Sequence, residues 1–224
     1  MLDCLGRRKQ PYTVRINGAS FELRPGTSDW WIFLEIFIFE IYREAMPQIE
    51  KAEVILDIGA NVGMFAVYAA SVNPVAKIHA FEPFPENVQQ LKKNLSLSSQ
   101  KQVQTHQAAV SDKSGVATLF FVPGDSSGCS LNQPGENSCS VETIAGNSLF
   151  EHCRIDKCDL LKMDCEGSEL GILQSLTEDT LKRVGAVVME YHDPKQIKAI
   201  TSILARSGFK CRVIEPIHTI YAAR

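Results

Sequence analysis

Residues 54–63 read Val-Ile-Leu-Asp-Ile-Gly-Ala-Asn-Val-Gly. A short run that is apolar but for one aspartate, entering glycines directly, suits a strand buried on both faces. Such strands belong to parallel sheets, which need long crossovers between neighbours. The rest of the chain supplies them. Strand-like runs at 54–58, 77–82, 103–107, 159–164, 186–192, 210–215 and 218–222 alternate with helical stretches at 62–72, 85–97, 168–176 and 194–207. That rhythm predicts an α/β fold, a doubly wound and mostly parallel seven-stranded sheet with helices on both faces. Only Pro216-Ile217 separates the last two strands, too little for a crossover, so that pair is antiparallel.

The regular alternation fails in two places. Between 103 and 159 the segments GVATLFFV and CSVETI read as a β insertion ahead of the fourth sheet strand. They flank PGDSSGCSLNQPGENS, whose composition fits a surface loop slightly better than a mobile lid. Ahead of the sheet, residues 12–24 alternate around Asn17-Gly18, a hairpin signal. After Pro25-Gly26 comes DWWIFLEIFIFEIYREAM, residues 29–46, read as one apolar helix capped by Ser28 or Asp29. Residues 1–50 thus form a hairpin-plus-helix extension acting as a cap, and residues 51–224 the main domain. The aromatics Trp30, Trp31, Phe33, Phe37 and Phe39 are expected to pack over that domain, with Glu35, Glu40 and Glu44 toward solvent. Apolar surface left over would let two copies pair as a homodimer. Glu35 and Glu40 interrupt the run, which is too short for stable membrane insertion.

Composition narrows the partners. With 23 basic against 26 acidic residues, net −3, and no long basic run, nucleic acid is not expected as a partner. The seven cysteines include no C-x-x-C pair, which suits free thiols in a reducing compartment better than structural zinc. The first ten residues lack the apolar segment of a secretory leader, so a cytoplasmic location is expected.

The glycine turn is not the G-x-G-x-x-G of a pyrophosphate site. Asp57, ending its strand beside the turn, would repel phosphate and suits a ligand with an ammonium group and no phosphate. S-adenosylmethionine is such a ligand. Glu82, ending the second strand, is placed to accept from both ribose hydroxyls. That position is shared with dinucleotide sites, so Asp57 makes the distinction.

The chain resembles a class I methyltransferase, and within that group it is similar to the FkbM family. VILDIGANVGMFAVYAA, FEPFPENVQQLKKNL, AAVSDKSGVATLFF and DLLKMDCEGSELGIL carry the resemblance, in the family's order. The K-x-D-x-E-G-x-E of the last is the most family-specific. The resemblance implies Asp57, Gly59, Ala60, Asn61 and Gly63 around the methionine part of S-adenosylmethionine, and Glu82 with Pro83 at the ribose. It implies Phe84 beside the adenine, Ala108 and Ala109 near its edge, and Asp164 at the mouth. One departure is visible: where the family often has Leu-Asp, this chain has Ile144-Ala145, and a Gly146-Asn147 turn follows.

The catalytic candidates are Asp164, His192, Glu166 and Lys162. Strand alternation puts Lys162 and Asp164 on one face. A lysine inside a covered strand needs a partner, here Glu166, Glu169 or Asp164, and such a pair could simply fix the turn. Glu190 and His192 end the fifth strand, and an ordinary imidazole pKa suits proton removal near neutrality. Asp164 and Glu166 could offer oxygens to a divalent cation, but further ligands cannot be named and no metal is assigned. The chain lacks the D/N-P-P-Y/F turn resembling that of adenine and cytosine N-methylation, and the Pro-Cys resembling that of pyrimidine attack. The resemblance implies O-methylation of a hydroxyl on a small molecule or sugar. N-methylation of a small amine or peptide, or a non-catalytic cofactor-binding scaffold, are the alternatives.

Overall fold

A computed structural model describes residues 9–224, so the reading of the first ten residues lies mostly outside the described residues. The main sheet has seven strands: β3 (Val54–Ile58), β4 (Lys77–Phe81), β5 (Val103–His106), β9 (Cys158–Met163), β10 (Val184–Glu190), β11 (Lys210–Ile214) and β12 (Thr219–Ala223). Their order across the sheet is β11-β12-β10-β9-β3-β4-β5. Neighbours from β10 to β5 run parallel, and β12 is antiparallel to both β10 and β11. Each predicted strand lies within two residues of its observed bounds. The order reverses at β3, first strand of the βαβ series, so the β3/β9 boundary is the switch point where ligands enter such sheets.

Helices cover both faces. α3 (Met64–Val72) and α4 (Pro85–Leu97) pack with Ile55, Ile78 and Ala80 on one side. α5 (Leu149–Cys153), α6 (Glu169–Ser175), α7 (Glu178–Lys182) and α8 (Ile197–Arg206) belong to the second layer, where Leu56, Ile58, Leu161 and Val187 are buried. The insertion is a separate sheet in which β8 (Asn137–Ala145) lies between β6 (Ala109–Ser111) and β7 (Gly115–Phe121).

The N-terminal hairpin forms as its alternation requires. β1 (Tyr12–Ile16) pairs with β2 (Ala19–Leu23), and Asn17 and Gly18 both take positive φ at the turn. Phe21 and Leu23 are buried in the same apolar cluster as Ile55 and Phe65, so hairpin and sheet share one core.

The expected continuous helix over 29–46 is broken. α1 is Asp29–Phe37, and the next α-helix, α2, is Met46–Ile49. Between them Glu40 sits at φ 51, reversing the chain so that Tyr42 enters the core with its ring 4.9 Å from Phe65. Three more expectations fail here. Ser28 caps nothing with its side chain, because its hydroxyl donates to Asp125. Asp29 is fully buried and receives a bidentate bond from Arg24, at 2.9 and 2.8 Å. Glu35 does not face open solvent but lines the central cavity. Trp31, Ile38 and Phe39 do remain about half exposed. No helix among the described residues is long and apolar enough to cross a membrane. The six described cysteines are free thiols, and Cys153 and Cys158 are buried.

Candidate active site

The parallel strands end around one cavity of about 320 Å³, within the range of small-ligand sites. Its floor is the glycine turn. Gly59 has φ +75, and a Cβ there would lie 1.7 Å from the Asp164 carbonyl oxygen, so no side chain fits. The turn is tied to its neighbours: the Gly59 and Ala60 amides donate to the Phe81 carbonyl, and the Asp164 amide donates to the Ile58 carbonyl. Gly63 also has a positive φ and packs on Leu91, but it supports the turn from behind and does not line the cavity.

Asp57 ends β3 beside the turn as expected, but its side chain turns inward. It is fully buried and does not line the cavity. Register explains this: Asp57 on β3 lies directly opposite Lys162 on β9. The Lys162 ammonium comes within 3.0 Å of Asp57 Oδ1 and donates to the Gly59 carbonyl at 2.7 Å. Its partner is therefore Asp57, with Asp164 farther off at 3.9 Å, and neither Glu166 nor Glu169 pairs with it. Burial opposes charge on both members of the Asp57–Lys162 pair. It leaves the Asp57 carboxyl above its usual range, while Asp57 and Asp164 together keep Lys162 above its own. Among the described residues Lys162 is the group that faces the Asp57 carboxylate, and the pair is held by charge at contact distance.

Glu82 does line the cavity, though it is only 4% exposed. Its oxygens accept from the Asn61 amide at 2.8 Å and the Phe84 amide at 3.0 Å. Burial outweighs these bonds and pushes its carboxyl up to about 7. Each oxygen retains accepting capacity for a ligand hydroxyl. Pro83, Ala60, Asn61, Ala108 and Ala109 line the same space, joined by Val110 and Leu119. Phe84 does not line it: its ring packs 4.7 Å from Phe121 in the insertion's own small core.

The Gly- and Ser-rich segment, read as a surface loop, closes over this end. The Ser126 carbonyl accepts from the side chains of Asn61 and Asn87, at 2.9 and 2.8 Å, and Ser126 Oγ donates to Asp29. Ser126, Ser127, Cys129 and Leu131 all line the cavity. Composition could not show this, because it does not say which distant groups the Ser126 carbonyl and hydroxyl meet.

The far rim is acidic. Asp164, Glu166, Glu190 and His192 converge there with Glu35 from α1. His192 Nδ1 lies 3.0 Å from Glu169 Oε1, while Nε2 is 3.8 Å from Asp164 and 3.4 Å from Glu166. Burial opposes a charged ring, yet Glu169, Glu166 and Asp164 overcome it and raise His192 to about 9. The surrounding carboxylates thus hold the imidazole toward its charged form, against its expected role as a ready base. Burial, reinforced by Asp164, lifts Glu166 to about 7 and Glu190 to about 8. The sequence put Glu190 on the rim without a role and turned Glu35 toward solvent, whereas Glu35 and Tyr42 both line the cavity. The α1 residues Trp31, Ile32 and Ile36, with Ile41 and Tyr42, wall the same side.

The comparisons agree with the fold and the turn. Residues 57–211 match the family model described as the Methyltransferase FkbM domain. The chain is 26% identical to the AMB antimetabolite synthetase AmbE of Pseudomonas aeruginosa over 82% of this chain, spanning only 11% of that protein's length. It is 26% identical to the 31-O-demethyl-FK506 methyltransferase FkbM of Streptomyces tacrolimicus over 88% of each chain. A SAM-dependent methyltransferase from Agrobacterium tumefaciens shares the fold at TM-score 0.53 and 10% identity, covering 96% of this chain and 70% of that one. The fold and cavity define a class I methyltransferase. The chain belongs to the FkbM methyltransferase domain family, with S-adenosylmethionine as its methyl donor. The residues present fit that donor: a buried acid faces the cavity beside an apolar floor of alanines, and a carboxylate rim suits its cationic end.

Proposed function

We propose that the chain methylates a hydroxyl group on a small molecule or sugar. The observation that carries this reading is the charge pattern of the cavity. Among its described lining residues the only lysine or arginine is Lys162, which is committed to Asp57 and the Gly59 carbonyl, while five carboxylates face inward. Such a rim offers no free lysine or arginine to an anionic acceptor, and its raised carboxyls can ionise against a cationic donor beside a neutral, hydroxyl-bearing acceptor. The O-methyl position in the name of the Streptomyces relative supports the same acceptor class.

When bound, S-adenosylmethionine supplies a methyl carbon made electrophilic by its positive sulfur. The chain's residues then do three things. Glu82 would hold the donor's ribose, and the glycine turn would face its methionine part. The α1 wall and the rim align the acceptor oxygen with the methyl carbon, where proximity is worth a large part of the barrier. A rim carboxylate would take the acceptor hydroxyl's proton as that oxygen receives the methyl group and the donor's sulfur is left neutral. Lys162 acts indirectly, by fixing the Gly59 carbonyl.

The acidic rim would also attract a protonated amine, so N-methylation is the second reading. Methyl transfer from isotopically labelled S-adenosylmethionine into matched alcohol and amine acceptors separates the two. Label in ethers supports the proposal; label confined to amines overturns it; none in either across a broad panel favours a binding scaffold.

A further inference from the structure

We infer that the rim is a divalent-cation site, with Asp164, Glu190 and His192 as the ligands. One donor atom from each lies within 4.8 Å of the other two, and the three come from the adjacent ends of β9 and β10. The sequence offered Asp164 and Glu166 as oxygen donors but could not name the rest. The structure brings a nitrogen and a further carboxylate to the same point.

The argument rests on how His192 is held. Glu169 is 1% exposed, and its Oε1 already accepts from the Cys165 and Gly167 amides, at 2.9 and 3.2 Å. The same oxygen faces His192 Nδ1 at 3.0 Å. A carboxylate bound by two amides only accepts, so the ring proton sits on Nδ1. Nε2 is then turned into the cleft, where no hydrogen bond reaches it among the described residues. A buried carboxylate behind a histidine whose other nitrogen points at acids is the arrangement that orients metal-binding imidazoles.

The donor set also says which cation. One imidazole and two carboxylates suit a divalent first-row ion that takes nitrogen as well as oxygen, with Mn2+ as the paramagnetic probe, better than Mg2+ or Ca2+, which prefer oxygen throughout. Three ligands leave coordination positions open toward the cavity, where an acceptor oxygen could bind and lose its proton more readily. That consequence rests on the hydroxyl-acceptor reading, but cation binding itself does not. The competing explanation is that the imidazolium alone balances the acids. In that case no cation is needed.

The test uses the full chain with Mn2+ alone, read by electron paramagnetic resonance without donor or acceptor. One saturable Mn2+ per chain is expected, with nitrogen modulation from a bound imidazole. His192→Gln and Glu190→Gln should each weaken binding at least tenfold, and Glu169→Gln by about 10–100-fold while removing no ligand. Binding should tighten as pH rises, since the cation must displace the proton from Nε2. Absent saturable binding, or binding unchanged in both ligand variants, overturns the site. If those variants melt below the assay temperature, the unmodified chain decides, because bound Mn2+ without nitrogen modulation also overturns it.

Discussion

Replacing Lys162 with methionine removes the charge facing a carboxylate that has no solvent contact. Asp57 is 0% exposed and has Lys162 at 3.0 Å. Losing one member of a buried pair costs about 3–5 kcal/mol, because the survivor is left uncompensated. In a chain of this size that lowers the melting temperature by about 6–20 °C. Asp57 has a raised folded pKa, so its unfavourable ionisation is absent below the unfolded value and grows as pH rises. The loss in Lys162→Met should therefore be larger at pH 8 than at pH 5. Urea unfolding of Lys162→Met, Asp57→Leu and the double variant gives a cycle. The double variant should recover most of the stability, with a coupling of at least about 2 kcal/mol. It should not recover cofactor affinity, because the Lys162 bond to the Gly59 carbonyl is gone. Additive single effects, or a double variant that binds the cofactor as the parent does, would refute this account of the pair.

Glu82 trades stability for binding. Its carboxyl is raised from 4.5 to about 7, so the free protein should lose up to about 3 kcal/mol between those values as pH rises. Thermal melts of Glu82→Gln across pH 4 to 9 should flatten that loss, and parallel profiles for parent and variant would contradict it. Two glycines should respond oppositely to alanine. Gly59→Ala meets the Asp164 carbonyl at 1.7 Å and must distort the turn, whereas a Cβ at Gly171 in α6 meets nothing within 4 Å. Unfolding free energy from urea titration should fall for Gly59→Ala and rise by about 0.5–1 kcal/mol for Gly171→Ala. Equal effects would contradict the packing described.

The sheet was legible because its strands are short apolar runs with crossovers of helical length, and tertiary context had little left to decide. The β insertion and hairpin followed from alternation and from Asn17-Gly18. What failed depended on facts that periodicity does not carry. The break after Phe37 is a local reversal at Glu40, driven by burial of Tyr42 against Phe65. Asp57 looked like a ligand because it ends a strand beside the turn, but only inter-strand register shows Lys162 opposite it. Phe84 likewise sits beside Glu82 in sequence while its ring turns toward Phe121. The closure by Ser126 was invisible because its partners, Asn61, Asn87 and Asp29, lie 39 to 97 residues away in sequence.

The central claim is that this cavity takes S-adenosylmethionine with its ribose on Glu82, and titration calorimetry tests it most directly. S-adenosylmethionine should bind the full chain at one site, and NAD should not compete. Truncation in Glu82→Ala should cost about 1.5–3 kcal/mol, roughly tenfold to over a hundredfold in affinity. Comparable binding of NAD, or unchanged S-adenosylmethionine affinity in Glu82→Ala, would contradict the account.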